Sequence, residues 1–173
     1  MKIKKSSINY ATIFLNGATI NINEEQLSQI NQNMKNLNIN TINNQELQWN
    51  DGKYIGQVVN GKAEGKGTWY GDNGDRYEGE WRNNKMEGKG IYFFNNGTRY
   101  EGECRNDKQE GKGIYYYSNG DRYEGDFRNG KREGKGIYYF NNGDRLMGDY
   151  LDDNPKGKHV LLKKNEDVNI YDY

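Results

Sequence analysis

Between residues 54 and 168, short runs of alternating apolar and polar side chains return at an interval of 23 residues. In Tyr77-Glu78-Gly79-Glu80-Trp81-Arg82 the aromatic residues and glycine fall on one side and the charged residues on the other. That pattern predicts a strand with one buried face. Asn83 to Glu87 reads as a turn. Gly88-Lys89-Gly90-Ile91-Tyr92-Phe93-Phe94 predicts a second strand, apolar on both faces towards its end. Asn95-Asn96-Gly97 returns the chain, and the next unit opens at Arg99-Tyr100. Each unit is therefore expected to be a β-hairpin, and successive hairpins a meander. The period is visible as columns. Tyr54, Tyr77, Tyr100 and Tyr123 form one, and Gly56, Gly79, Gly102, Gly125 and Gly148 another. A second glycine column runs from Gly65 to Gly157 and a third from Gly67 to Gly136. A fixed period of this length marks stacked supersecondary units, each contacting only its neighbours.

The glycine and aromatic columns invite a register. If Trp81 lies across from Gly90, then Gly79 faces Tyr92 and Tyr77 faces Phe94. Rings then cover positions that lack side chains, which accounts for glycine in a strand, where it is otherwise a weakness. In this register Gly102 faces Tyr115. The aromatic columns are read as core. Gly97, Gly120 and Gly143 follow Asn or Ser-Asn and suit turn positions with positive φ.

Residues 1–50 carry one glycine and are rich in Asn and Ile. Tyr10–Leu15 and Ala18–Ile22 flank Asn16-Gly17, the dipeptide that best fits a type I′ hairpin turn. Asn23 then reads as a helix cap, with Gln26 three residues on and Glu24 and Glu25 at the positive end of the helix dipole. Leu27, Ile30, Met34 and Leu37 share one face, so a helix is expected over 24–37. Its apolar stripe is expected to dock on the array, with docking on a partner as the alternative. The Asn-rich stretch 38–50 reads as a connector. The chain thus divides into an N-terminal cap or docking segment (1–50), a repeat array of about five units (51–168) and a short tail (169–173).

Composition sharpens this picture. Hydrophobic residues are only 32 % and the mean hydropathy is −1.23, which by itself points towards disorder. Against that, most of the 15 tyrosines recur at fixed positions, and 25 basic residues balance 25 acidic ones. A core of tyrosine and glycine fits both facts. Zero net charge provides no global field for nucleic acid or for an anionic membrane. The single cysteine, Cys104, permits no disulfide within the chain. No apolar run is long enough for a membrane helix. Lys2, Lys4 and Lys5 with no acid before Glu24 slightly resemble a mitochondrial presequence. The absence of arginine there and the helix-breaking Asn16-Gly17 count against it.

The segment 77–92, Tyr-Glu-Gly-Glu-Trp-Arg-Asn-Asn-Lys-Met-Glu-Gly-Lys-Gly-Ile-Tyr, resembles the MORN repeat (membrane occupation and recognition nexus). The match recurs at 100–115 and 123–138, more loosely at 54–69 and degenerately from 146. The last unit departs at Leu146, at His159 and at Val160-Leu161-Leu162. The resemblance implies an all-β repeat array: an elongated, twisted, single-layer antiparallel sheet of consecutive β-hairpins, here with a small N-terminal hairpin and helix. Roughly ten strands at ~4.8 Å spacing would span roughly 45 Å.

Candidate chemistry is thin. His159 is the only histidine and stands at a substituted glycine position. Cys104 shares the column of Trp81 and Phe127 and reads as a small buried hydrophobe. Glu78/Glu80, Glu101/Glu103 and Glu124/Asp126 resemble paired carboxylates, yet they repeat where an active site needs one distinctive environment. They are expected on the solvated face near Lys89, Lys112 and Lys135. Asp72-Asn73-Gly74-Asp75 has part of a calcium-loop pattern without its downstream helix or bidentate Glu. Gly65-Lys66-Gly67 lacks the phosphate-loop signature. No catalytic, cofactor-binding or metal-binding residue is therefore assigned, and no enzyme activity is expected. The resemblance implies a non-catalytic scaffold subunit that binds other proteins of a large assembly, such as the ciliary axoneme with its radial spokes, or the cytoskeleton. A phosphoinositide- or membrane-tethering module is the first alternative, for which Arg82, Arg105 and Arg128 and Lys85, Lys108 and Lys131 form two basic rows. An accessory subunit of a mitochondrial membrane complex is the second. No nucleic-acid partner is expected, and the sequence leaves the oligomeric state open.

Overall fold

The computed structural model of the chain describes residues 11–15, 18–36, 44–165 and 167–173. It forms two compact units, Met1–Ile42 and Asn43–Tyr173. In the first, β1 (Ala11–Leu15) and β2 (Ala18–Ile22) pair antiparallel, with Leu15 opposite Ala18. Tyr10 and the expected Asn16-Gly17 turn lie outside the described residues. Helix α1 (Glu24–Asn36) starts where the capping signals place it. The Gln26 amide donates to Asn23 Oδ1 (2.8 Å) and the Asn23 amide donates back to Gln26 Oε1 (3.0 Å), a reciprocal cap. Of the apolar stripe, Ile30 is exposed. The side chains of Leu27 and Met34, and the whole of Leu37, lie outside the described residues.

The second unit is one open antiparallel sheet of 12 strands in sequence order. They are β3 (Asn44–Trp49), β4 (Gly52–Val59), β5 (Lys62–Gly71), β6 (Arg76–Arg82), β7 (Lys85–Phe93), β8 (Arg99–Arg105), β9 (Lys108–Tyr116), β10 (Arg122–Arg128), β11 (Lys131–Tyr139), β12 (Arg145–Leu151), β13 (Asn154–Leu162) and β14 (Val168–Asp172). The hairpin meander read from the repeats is thus the observed fold, and it is longer at both ends than 51–168. The connector supplies β3, which pairs with β4 from Asn44↔Gln57 to Trp49↔Gly52. Most of the expected 169–173 tail lies in β14, with Ile170 opposite Val160.

The register differs from the expected one by two residues. Glycine faces glycine: Gly79 lies opposite Gly90, with Tyr77 opposite Tyr92 and Trp81 opposite Met86. The pairing continues between hairpins, Gly90 opposite Gly102 and Gly113 opposite Gly125, so a file of glycines crosses the sheet from Gly56 to Gly148. Two local features cause the shift. First, the turn is two residues long, not five: Asn83 and Asn84 have φ of 51° and 65°, the type I′ geometry, and β7 begins at Lys85. Second, Gly88 sits at φ +67° in a bulge where the register slips between Gly79 and Trp81. Alternation alone cannot show such a slip, because it preserves the pattern within each half of the strand.

The rings do lie over the glycines, but each ring covers one glycine on its own strand and one on the paired strand. A Cβ on Gly102 would sit 2.6 Å from Cζ of Tyr100, not against Tyr115. The Tyr100 ring also covers Gly113 on the partner strand. Tyr54, Tyr77, Tyr100 and Tyr123 are fully buried this way. A second column closes over them from both sides. Trp81 meets Tyr77 and Tyr54 edge-on at 5.2 and 5.1 Å, and Phe127 meets Tyr123 and Tyr100 at 5.4 and 5.1 Å. Cys104 fills the same position with a smaller group. The buried phenols donate to a backbone carbonyl three residues on, Tyr100 to Glu103 at 2.7 Å and Tyr54 to Gln57 at 2.9 Å. The last unit solves the problem differently. Leu146 replaces the tyrosine, and the imidazole of His159 enters from the opposite strand to cover Gly148. Tyr150 and Tyr173 flank that ring edge-on at 5.4 and 5.1 Å.

Candidate functional site

Every second residue of each strand points away from the aromatic core and builds a polar face with three rows. In the first, guanidinium groups lie flat on rings, Arg76 on Phe93, Arg99 on Tyr116 and Arg122 on Tyr139, at 4.1–4.3 Å. Each arginine also pairs with the glutamate two residues on: Arg76–Glu78 at 3.0 Å, Arg99–Glu101 at 2.9 Å and Arg122–Glu124 at 3.6 Å. These glutamates belong to the second row, in which Glu and Ile alternate from strand to strand: Glu78, Ile91, Glu101, Ile114, Glu124, Ile137. The third row opposes lysine and acid, with Lys112–Asp126 at 2.6 Å and Lys135–Asp149 at 3.5 Å. A trough of about 1730 Å³ runs along this face from Asn44 to Lys158.

Both rims of the sheet are stitched across repeats by side chains that sequence reasoning passed over. On the turn side, the acid before each bulge glycine reaches the next turn. The amides of Asn83, Asn106, Asn129 and Asp152 donate to Glu64, Glu87, Glu110 and Glu133 at 2.9–3.3 Å. On the loop side, Asp75 accepts from the Tyr92 hydroxyl (3.0 Å) and the Asn95 amide (2.8 Å), and Asp121 does the same for Tyr138 (2.8 Å) and Asn141 (2.8 Å). Burial acts to raise both carboxyls, but these hydrogen bonds outweigh it and hold Asp75 and Asp121 below the usual carboxylate range. The same 23-residue recurrence that revealed the strands carried this signal at Asp75, Asp121 and Asp144. Thr98 interrupts it.

The residues weighed as chemical candidates take structural places. Cys104 is buried between Tyr77 and Tyr100, and burial pushes its thiol up to about 11, away from the reactive thiolate. His159 is fully buried, with Nδ1 3.3 Å from the Gly157 carbonyl oxygen. The repeated carboxylate pairs lie on the polar face beside the expected lysines. Asp72-Asn73-Gly74-Asp75 is a loop whose Asp75 faces the Tyr92 hydroxyl and the neighbouring loop. Gly65 is a bulge residue at φ +61°, and Gly67 lies under the Tyr54 ring. Among the described residues no three His, Cys, Asp or Glu side chains are grouped to hold a metal ion. No helix among them is long and apolar enough to cross a membrane.

No curated protein matches the chain. Among solved structures, the SAS-4 (dCPAP) TCP domain of Drosophila melanogaster, in complex with a Proline Rich Motif of Ana2 (dSTIL), covers 75% of this chain and 90% of its own. The identity there is 17% and the TM-score 0.39. The family model of the MORN repeat matches four consecutive units, residues 54–76, 77–99, 100–122 and 123–145. These units hold the glycine file, the buried tyrosines and the polar rows, and the chain belongs to the MORN-repeat family.

Proposed function

We propose that this protein is a non-catalytic scaffold subunit that binds other proteins of a large assembly along the trough of its polar face. MORN repeats are a non-catalytic repeat type, consistent with a protein-binding or membrane-associated protein. The observation that carries the scaffold reading is the repetition of the polar face. Arg, Glu, Ile and Lys recur there at every hairpin and neutralise one another in pairs. Such a surface offers a long partner many equivalent contacts, and no unit differs enough from the next to house a reaction. The ciliary axoneme, radial spokes included, or the cytoskeleton is the assembly in which we place it.

Affinity purification from native lysate in mild detergent, with cross-linking and mass spectrometry, tests this. The expected result is stoichiometric axonemal or cytoskeletal subunits, cross-linked through Lys89, Lys112 and Lys135 and lost in Ile114→Glu. Subunits of a mitochondrial membrane complex would keep the scaffold and move its compartment. Phosphoinositide without protein would replace the scaffold by a membrane tether. There Arg82, Arg105 and Arg128 would make the contact.

A further inference from the structure

The opposite face carries a second surface. Beside the buried tyrosines, half-buried rings form an unbroken ladder: Trp69, Tyr92, Phe94, Tyr115, Tyr117, Tyr138 and Phe140, with successive centroids 4.5–6.3 Å apart. Three consecutive hairpins each contribute a ring pair, Tyr92/Phe94, Tyr115/Tyr117 and Tyr138/Phe140. The second member packs along one side against the buried core, as Phe94 and Tyr117 do, but it is not present in every unit. Its counterpart in the first full unit is Gly71, 23 residues before Phe94. We propose that this ladder is a docking site for a proline-rich segment bearing Lys or Arg, held as a polyproline II helix across the strands. The inference goes beyond the scaffold reading and uses the other face.

Three observations select that occupant. The first is length. A polyproline II helix repeats every three residues, about 9.3 Å. One hairpin advances the ladder by two strand spacings, about 9.6 Å. The same face of the ligand therefore meets a ring pair at each hairpin, as in other aromatic grooves that take proline-rich chains. The second is unpaired hydrogen-bonding capacity at the centre. Asp75 and Asp121 occupy the hydroxyls of Tyr92 and Tyr138. Thr98 stands where the aspartate for Tyr115 would be, and among the described residues no hydrogen bond engages the Tyr115 or Tyr117 hydroxyl. A polyproline II backbone makes no internal hydrogen bonds, so its carbonyls can accept from both. The third is charge. The loops 72–75, 117–121 and 140–144 carry Asp72, Asp75, Asp121 and Asp144 and no Lys or Arg, and Asp75 and Asp121 reach the ladder hydroxyls of Tyr92 and Tyr138. On the far side Arg132 is paired with Asp153 at 3.3 Å.

The test uses the full chain and a synthetic peptide of five Pro-Pro-Lys triplets. Its control is five Gly-Gly-Lys triplets, equal in charge but flexible. Preorganisation is expected to make the proline peptide bind roughly tenfold more tightly, with amide shifts confined to the ladder strands. Tyr117→Ser is expected to weaken it roughly fivefold by removing a contact ring. Tyr115→Phe keeps the ring and the fold and is expected to weaken it roughly threefold by removing one hydrogen bond. Equal affinity of the two peptides, no binding, or shifts on the polar trough would each overturn the proposal. So would wild-type affinity in both variants, and none of these results bears on the polar-face reading.

Discussion

Tyr100 shows how much one residue does in a sheet without a second layer. Its ring covers Gly102 and Gly113, its edge contacts hold the neighbouring column, and its hydroxyl satisfies the Glu103 carbonyl at the bulge. Gly102→Val would force the ring off the sheet and is expected to cost about 3 kcal/mol. Chemical denaturation measures this, and a variant as stable as wild type would contradict the ring placement. The aromatic columns were legible in the sequence, but their partners were not. Alternation assigns a face, and the bulge at Gly88 decides what lies opposite. Leu146 and His159 illustrate the same limit. Each reads as a lone degenerate substitution, yet together they exchange which strand supplies the ring. Thr98 gives the converse case, a local defect visible once the relay is known. Thr98→Asp is expected to stabilise the array by about 1 kcal/mol by accepting from the Tyr115 hydroxyl and the Ser118 amide. A lowered unfolding midpoint in urea would show that the loop there follows another geometry.

At the scale of the element, each hairpin is closed by its own type I′ turn and bound to the next by that turn. The Asn-Asn and Asn-Asp sequences take positive φ at both positions, and their second side chain also reaches back. Asn84 Oδ1 accepts from the Ala63 amide (2.6 Å) and Asp107 Oδ1 from the Met86 amide (2.8 Å). Asn129-Gly130 has the more favourable turn dipeptide but no such side chain. There the link rests on the Gly130 amide with the Gln109 carbonyl (2.9 Å) and on Glu110 with the Asn129 amide (3.0 Å). Glu110→Ala is therefore expected to destabilise this junction by about 1 kcal/mol and speed hydrogen exchange of the Asn129 amide. Glu87→Ala, where the Asp107 side chain remains as a second link, is expected to have the smaller effect. Equal exchange rates in the two variants would mean that the second side chain adds no holding strength. The turn was placed correctly from sequence but read too long, because Lys85 and Met86 look like turn residues until their pairing with Arg82 and Trp81 is seen.

Across the sheet, the four buried tyrosines share one titration behaviour. Burial pushes the Tyr54 hydroxyl up to about 12 from its ordinary 10.0, and burial likewise raises Tyr77, Tyr100 and Tyr123. The folded sheet therefore keeps protons that the unfolded chain gives up near pH 10. Below that pH both states are protonated, and the phenols contribute their full stabilisation. Between about 10 and 12 these phenols lose protons only in the unfolded chain, so their contribution to stability falls as pH rises. Because each repeat leans on its neighbours, ionising one column position weakens two interfaces, and unfolding is expected to spread along the array. Tyrosinate absorbance and circular dichroism, followed together in an alkaline titration, check this. Late tyrosinate absorbance should appear together with loss of sheet signal. Full ionisation near pH 10 with the sheet intact would mean that the rings do not lie over the glycine file, and the packing described for the whole array would fall with it.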